Sequence, residues 1–194
     1  MLLVAIVLLA SAAPLPPAAR LPLQRGIEAL DKNELEAART NFEQASKMVP
    51  RNASVWLLLA QTYARLKNAP LAAAAALKAE TFGSTDSEIV HGLIHFYVET
   101  QPDLVRAVKL ETACVSRNPK DAGKAAELRT MLGNEYVQKK EWANAVEQMT
   151  AALQLTPRDE SAHFRLAQLY LFQQKFDPAF SVLENAQKQF PSSA

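Results

Sequence analysis

His91 and His95 stand four residues apart, the spacing that on a helix turns two imidazoles toward one metal ion. The stretch HGLIH lacks the glutamate of an H-E-x-x-H arrangement and supplies no third ligand nearby, so the pair reads either as a polar stripe that touches a partner or as a plain solvated face. Cys114 is the single cysteine; it cannot close an intrachain disulfide, and with three histidines it falls short of a structural zinc set. No neighbouring histidine is present in the sequence to lower its pKa, which predicts a buried structural thiol. No ordered Ser, His and Asp set, paired carboxylates or glycine-rich phosphate loop appears among residues that include only 5 Gly. The expectation is a non-enzyme with no catalytic residue, no cofactor and no metal. A balance of 21 Lys+Arg against 20 Asp+Glu, net +1, leaves no basic excess for nucleic acid. Asn52-Ala53-Ser54 is a glycosylation sequon for a eukaryotic secretory route.

What would position such side chains is a repeat. Tyr63 and Tyr97 are 34 residues apart, as are Tyr136 and Tyr170, and Tyr97 to Tyr136 is one period plus five. Ala38 and Ala72, Ala145 and Ala179, and Pro157 and Pro191 keep the same spacing. A period of this size means stacked helical pairs, each too small to bury its own apolar face. Small residues such as Gly133 and Ala145 belong where helices cross, because a larger side chain would hold the backbones apart. Asn68 before Pro70 and Asp177 before Pro178 predict capped second helices, and Asp121 predicts the cap of a first helix lengthened through Ala122 to Ala125.

These residues resemble the tetratricopeptide repeat family. Residues 126 to 159 carry Leu132, Gly133, Tyr136, Trp142, Ala145, Ala152 and Pro157, and residues 160 to 193 carry Leu166, Ala167, Tyr170, Phe176, Ala179, Ala186 and Pro191. Residues 53 to 86 keep Trp56, Leu59, Ala60, Tyr63, Ala72 and Ala79, and residues 19 to 52 keep Gly26, Ala38, Phe42, Ala45 and Pro50. Residues 87 to 120 are the most degenerate: Arg106 occupies the small-residue position unless a one-residue slip puts Ala107 there. The resemblance implies an all-α, right-handed α-solenoid of about five helix-turn-helix repeats over 20–194. It also implies a protein–protein interaction adaptor that holds a peptide or protein segment in its concave groove. The family's inward-facing positions fall on Gln61, Arg65, His91, His95, Asn134, Gln138, Phe164 and Gln168, with Leu57, Glu127, Thr130 and Val137 beside them. A subfamily that clamps carboxylates uses a cation where this chain has Leu23, Leu57, His91, Thr130 and Phe164, so that specificity is not expected.

Residues 1–19 carry no charged side chain, and Leu2 to Leu9 form an apolar run of secretory-signal length ended by Pro14, Pro16 and Pro17. Small residues at Ala10 and Ala12, or at Ala18 and Ala19, offer cleavage sites. The expected location is exported, periplasmic or secreted, with a membrane tether only where the segment stays uncleaved. An alternative to the groove adaptor is a structural or assembly subunit that self-associates or docks through an uncapped C-terminal repeat, where Phe176, Phe180 and Leu183 would be exposed.

Overall fold

The computed structural model describes residues 15–190. They form ten α-helices and, among the described residues, no strand: α1 (Pro17–Asp31), α2 (Leu35–Met48), α3 (Ala53–Arg65), α4 (Ala69–Gly83), α5 (Ser87–His95), α6 (Leu104–Val115), α7 (Ala122–Gln138), α8 (Trp142–Leu155), α9 (Glu160–Phe172) and α10 (Phe176–Gln189). A π-helical turn, Phe96–Thr100, prolongs α5, and a 3-10 turn, Pro119–Asp121, precedes α7. Four pairs pack in the expected order, α1 with α2, α3 with α4, α7 with α8 and α9 with α10, while α5 packs on α4 and α3. The chain divides into two compact units, unit 1 through Leu110 and unit 2 from Glu111, with the division falling inside α6.

In unit 1, α1 opens on Pro17, whose missing N–H costs nothing at a first helical position. The helix therefore starts before residue 20, and Ala19 is fully buried in it. Pro17 to Ala19, the last residues of the uncharged 1–19 stretch, thus belong to α1; residues 1–14 lie outside the described residues. Gly26 allows α2 to approach: a Cβ there would sit 2.5 Å from the Phe42 ring. Helix α3 is apolar around nearly its whole circumference and buries Val55, Leu57, Leu58 and Leu59, the signature of a helix packed on several sides. Thr62, buried with them, donates its hydroxyl to the Leu58 carbonyl at 2.7 Å, so no polar group is stranded. In α4 the alanine run places Ala72, Ala75, Ala76 and Ala79 inward, and their small bulk permits close packing on α3.

Four intra-repeat turns share one construction. Asn33, Lys67, Lys140 and Gln174 each adopt a left-handed backbone with φ of 60–62°. Each is followed by a residue whose N–H reaches back five positions: Glu34 to Ala29, Asn68 to Tyr63, Glu141 to Tyr136 and Lys175 to Tyr170, at 2.8–2.9 Å. This Schellman geometry satisfies orphan carbonyls at the helix end. Its last residue doubles as the N-cap of the next helix. Tyr63, Tyr136 and Tyr170 thus mark where the first helices of their repeats close.

The third repeat departs from the pattern. Its turn runs through the π-helical Phe96–Thr100, the Gln101 N–H bonds the Phe96 carbonyl, and the Asp103 N–H bonds the Tyr97 carbonyl at 2.7 Å, six residues back instead of five. That extra residue is the slip the sequence left open. Ala107, fully buried, lies four residues after Asp103, as Ala38, Ala72, Ala145 and Ala179 lie four after their own caps. Arg106 points elsewhere, donating to Glu80 at 3.0 Å with its guanidinium 5.6 Å from the Tyr97 ring centroid.

In unit 2, Ala145, Met149, Leu166 and Leu169 form the core, flanked by Tyr136, Val137, Trp142 and Tyr170. A Cβ on Gly133 would lie 3.0 Å from Met149 and 3.5 Å from the Ala145 carbonyl oxygen, which identifies the crossing of α7 and α8. Two expected caps are corrected. Helix α10 begins at Phe176 with Lys175 as its N-cap, because the preceding Schellman turn fixes the start; Asp177 sits inside the first turn. Asp121 occupies the cap position of α7 but makes no capping bond; its carboxylate accepts from the Asn118 side chain at 3.1 Å, while Asn118 caps the 3-10 turn. Asn68 caps α4 as expected, accepting from the Leu71 N–H at 3.2 Å.

Candidate partner-binding surface

In unit 2 the first helices of two successive repeats, α7 and α9, frame an open concavity of about 360 Å³. Gly123, Glu127, Thr130 and Asn134 recur at helical spacing along α7 and line one wall. The facing wall is the start of α9, with Asp159, Ser161, Ala162 and Arg165. Asp159 is fixed as the N-cap, accepting the Ala162 N–H at 3.0 Å, and Thr130 donates to the Ala126 carbonyl at 2.9 Å. The side chains of Glu127, Asn134 and Arg165 have no hydrogen bond or ion pair among the described residues. One acid, one base and one amide are left facing the space. An amide carries both donors and an acceptor, the complement of a peptide bond.

The structure separates the expected groove residues. Asn134 and Gln138 are exposed on α7, and Gln168 is exposed on α9. Phe164, half exposed, lines a second concavity of about 350 Å³ with Phe180, Leu183, Ala186 and Phe190, between α9 and α10. Val137 packs on the unit 2 core. In unit 1, His91 and His95 are both exposed on α5, and Gln61 is half-buried on α3. Leu57 is no groove residue: it is fully buried, 2.6 Å from the Cβ that Gly92 would carry. Arg65 is engaged within the fold. It donates to the Asn33 side chain at 2.7 Å and to the Leu30 carbonyl at 3.5 Å, placing a cation on the C-terminal end of α1 where the helix dipole favours it.

His163 is buried, with Nδ1 2.9 Å from the Asp159 carbonyl oxygen and its ring edge-on to Phe190. Cys114 is buried, and burial, followed by the nearby Glu111 charge, pushes its thiol pKa up, away from a reactive thiolate. Asn52 of the sequon caps α3, accepting the Val55 N–H at 3.0 Å. Arg165 and Ser161, which line the α7–α9 concavity, are not among the groove positions expected from the sequence. Their only sequence signal was Asp159, a cap-forming residue that fixes where α9 begins.

Paired helices in a regular register define a helical-repeat protein. A model of the tetratricopeptide repeat matches residues 23–87 and a model of the TPR repeat matches residues 133–174. Together they cover more than half of the sequence, and the chain belongs to the tetratricopeptide repeat family. Members of this family are generally non-catalytic protein-interaction modules. Among solved structures, a MamA protein is 18% identical over 90% of this chain and 92% of its own, with a TM-score of 0.54. MamA from residue 41 onward of Desulfovibrio magneticus RS-1 is 15% identical over 92% and 98%, TM-score 0.53. YrrB, described as a TPR protein with an unusual peptide-binding site, is 18% identical over 90% and 87%, TM-score 0.53. At such identities the likeness is one of fold. No curated protein matches the sequence.

Proposed function

We propose that the protein is a non-catalytic adaptor that holds an extended peptide or protein segment on the concave side of its repeats. The observation that carries this reading is the α7–α9 concavity, with Glu127, Asn134 and Arg165 unspent within the fold. YrrB, of the same fold, is described as having a peptide-binding site, which supports the same use here. A partner recovered from the native compartment and titrated against Asn134→Ala with Arg165→Glu should bind at least about tenfold more weakly than to wild type, with the melting curve unchanged, since surface substitutions usually shift stability within about 0.5 kcal/mol. Wild-type affinity in that double variant would count against the groove.

A second reading is favoured by the aromatic face of α9 and α10, where Phe164, Phe176 and Phe180 are exposed. It is self-association or docking through this helical pair. If the pair self-associates, Phe180→Asp should halve the mass seen by light scattering, and a wild-type monomer would dismiss self-association.

The uncharged N-terminal segment directs export in this proposal. Cleavage after Ala12 would leave α1 whole, whereas cleavage after Ala19 would remove its first turn and a buried side chain. N-terminal sequencing of the native protein should begin at Ala13, and intact Met1 on cytoplasmic protein would sink the export reading.

A further inference from the structure

Antiparallel pairing brings four helix ends of unit 1 together: the start of α1, the end of α2, the start of α3 and the end of α4. Gly26 against Phe42 fixes the first pair, and Ala53, 2.7 Å from the Cβ that Gly83 would carry, fixes the second. Exposed around this end are Leu21, Met48 and Phe82 together with the cations Arg20, Lys47, Arg51 and Lys78. None of the four cations has an ion pair among the described residues; the ion pairs of unit 1 are held by Arg39 and Arg106. Arg51 lies 5.9 Å from the Phe82 ring centroid and Lys78 3.9 Å from that of Trp56. The acids that follow this end in sequence are engaged: Glu80 pairs with Arg106 at 3.0 Å, Asp86 accepts two backbone N–H bonds at the start of α5, and one Glu88 carboxylate oxygen is buried.

Two features give the surface a direction. Apolar side chains interleaved with unpaired cations suit the boundary of an anionic bilayer, where acyl chains and phosphate headgroups meet. Arg20, whose Nε donates to the Leu15 carbonyl at 3.0 Å, ties the same end to the point where the chain leads back to the uncharged residues 1–14. We propose that this end of unit 1 seats on an anionic lipid surface, Arg20, Lys47, Arg51 and Lys78 meeting headgroups and Leu21, Met48 and Phe82 the interface. The proposal rests on the reading that residues 1–14 enter a membrane, whether or not cleavage follows.

The test is flotation of the full chain with vesicles of phosphatidylcholine alone or mixed with phosphatidylglycerol, at low and high salt. Each basic residue near an anionic surface contributes about fivefold in affinity, so Arg20→Glu with Arg51→Glu should weaken binding to the mixed vesicles by roughly 25-fold or more. Lys32→Glu with Lys67→Glu, an equal charge change at the opposite end of unit 1, should leave it intact, and Lys47→Gln with Lys78→Gln gives a milder pair if the first misfolds. Equal flotation with neutral and anionic vesicles would overturn the proposal, since the apolar segment alone would then drive binding. Equal loss in the two opposite-end variants would overturn it too, as would a DNA duplex displacing vesicles at matching concentration. The adaptor reading fails separately, at Asn134 and Arg165 without lipid.

Discussion

Four repeats turn from first to second helix through a left-handed residue, and the third turns through a π-helical segment. Both routes deliver a fully buried alanine four residues after the N-cap: Ala38, Ala72, Ala145 and Ala179 by the first, Ala107 by the second. What is held constant is the distance from helix start to helix crossing, because that distance places the small side chain where two backbones approach. The 34-residue count is a consequence and can slip by one when a turn absorbs the extra residue. The π-helical turn absorbs it by closing to Phe96 five residues back, with Asp103 reaching six back to Tyr97.

This comparison can be broken at its crossings first. Ala107→Leu and Ala145→Leu should each cost on the order of 1–3 kcal/mol by overpacking, whereas Arg106→Ala should cost less than about 1 kcal/mol, the scale of an exposed ion pair. Urea unfolding checks this, and a costly Arg106→Ala beside a silent Ala107→Leu would restore the uncorrected register. Crossings also differ in compliance. Gly26→Ala drives a Cβ to 2.5 Å from a rigid, buried ring, while Gly133→Ala meets the flexible Met149 side chain at 3.0 Å. The first should lose about 1–2 kcal/mol, and the second should stay within about 0.5 kcal/mol because alanine's helix propensity offsets the contact.

The turns themselves come next. Lys140→Gly should raise stability by about 1 kcal/mol, since a left-handed backbone burdens any residue with a Cβ. Gln101→Gly, at φ −137°, should lower it by roughly 0.5–1 kcal/mol through added unfolded-state entropy. Opposite signs in thermal melts are the expected outcome; equal signs would mean the two turns are not conformationally distinct.

The smallest effect concerns alkaline pH. Tyr63 is held to a pKa of about 12 by burial and by donating to Glu43 at 2.8 Å. Because the folded pKa lies above the unfolded value near 10, the protonated phenol's stabilisation is complete below about pH 10 and is lost as pH rises toward 12. Tyr63→Phe should flatten the decline of stability across that window, and a parallel decline in the variant would assign it to another group.

Much of this was written in the chain because repeats are local: each pair contacts mainly its neighbours, so spacing of Tyr, Gly and Ala is a direct record of helix length and crossing. The period, the pairing of four of the repeats, the burial of Cys114 and the cap at Asn68 were legible on that basis. Left-handed residues were not, since Asn33, Lys67, Lys140 and Gln174 span three residue types and include no glycine; the Schellman bonds are backbone bonds and need only a tolerated conformation. For the same reason Asp177 looked like a cap from its side chain, while the preceding turn had already set the helix start. The surface was the least legible. Arg65 and Arg165 look equally solvent-facing in sequence, yet one is spent on the end of α1 and the other remains free beside Asn134. Periodicity tells which face a residue occupies; only packing tells whether another part of the chain already occupies its donors, because those partners lie a repeat away and their reach depends on how the helices are set.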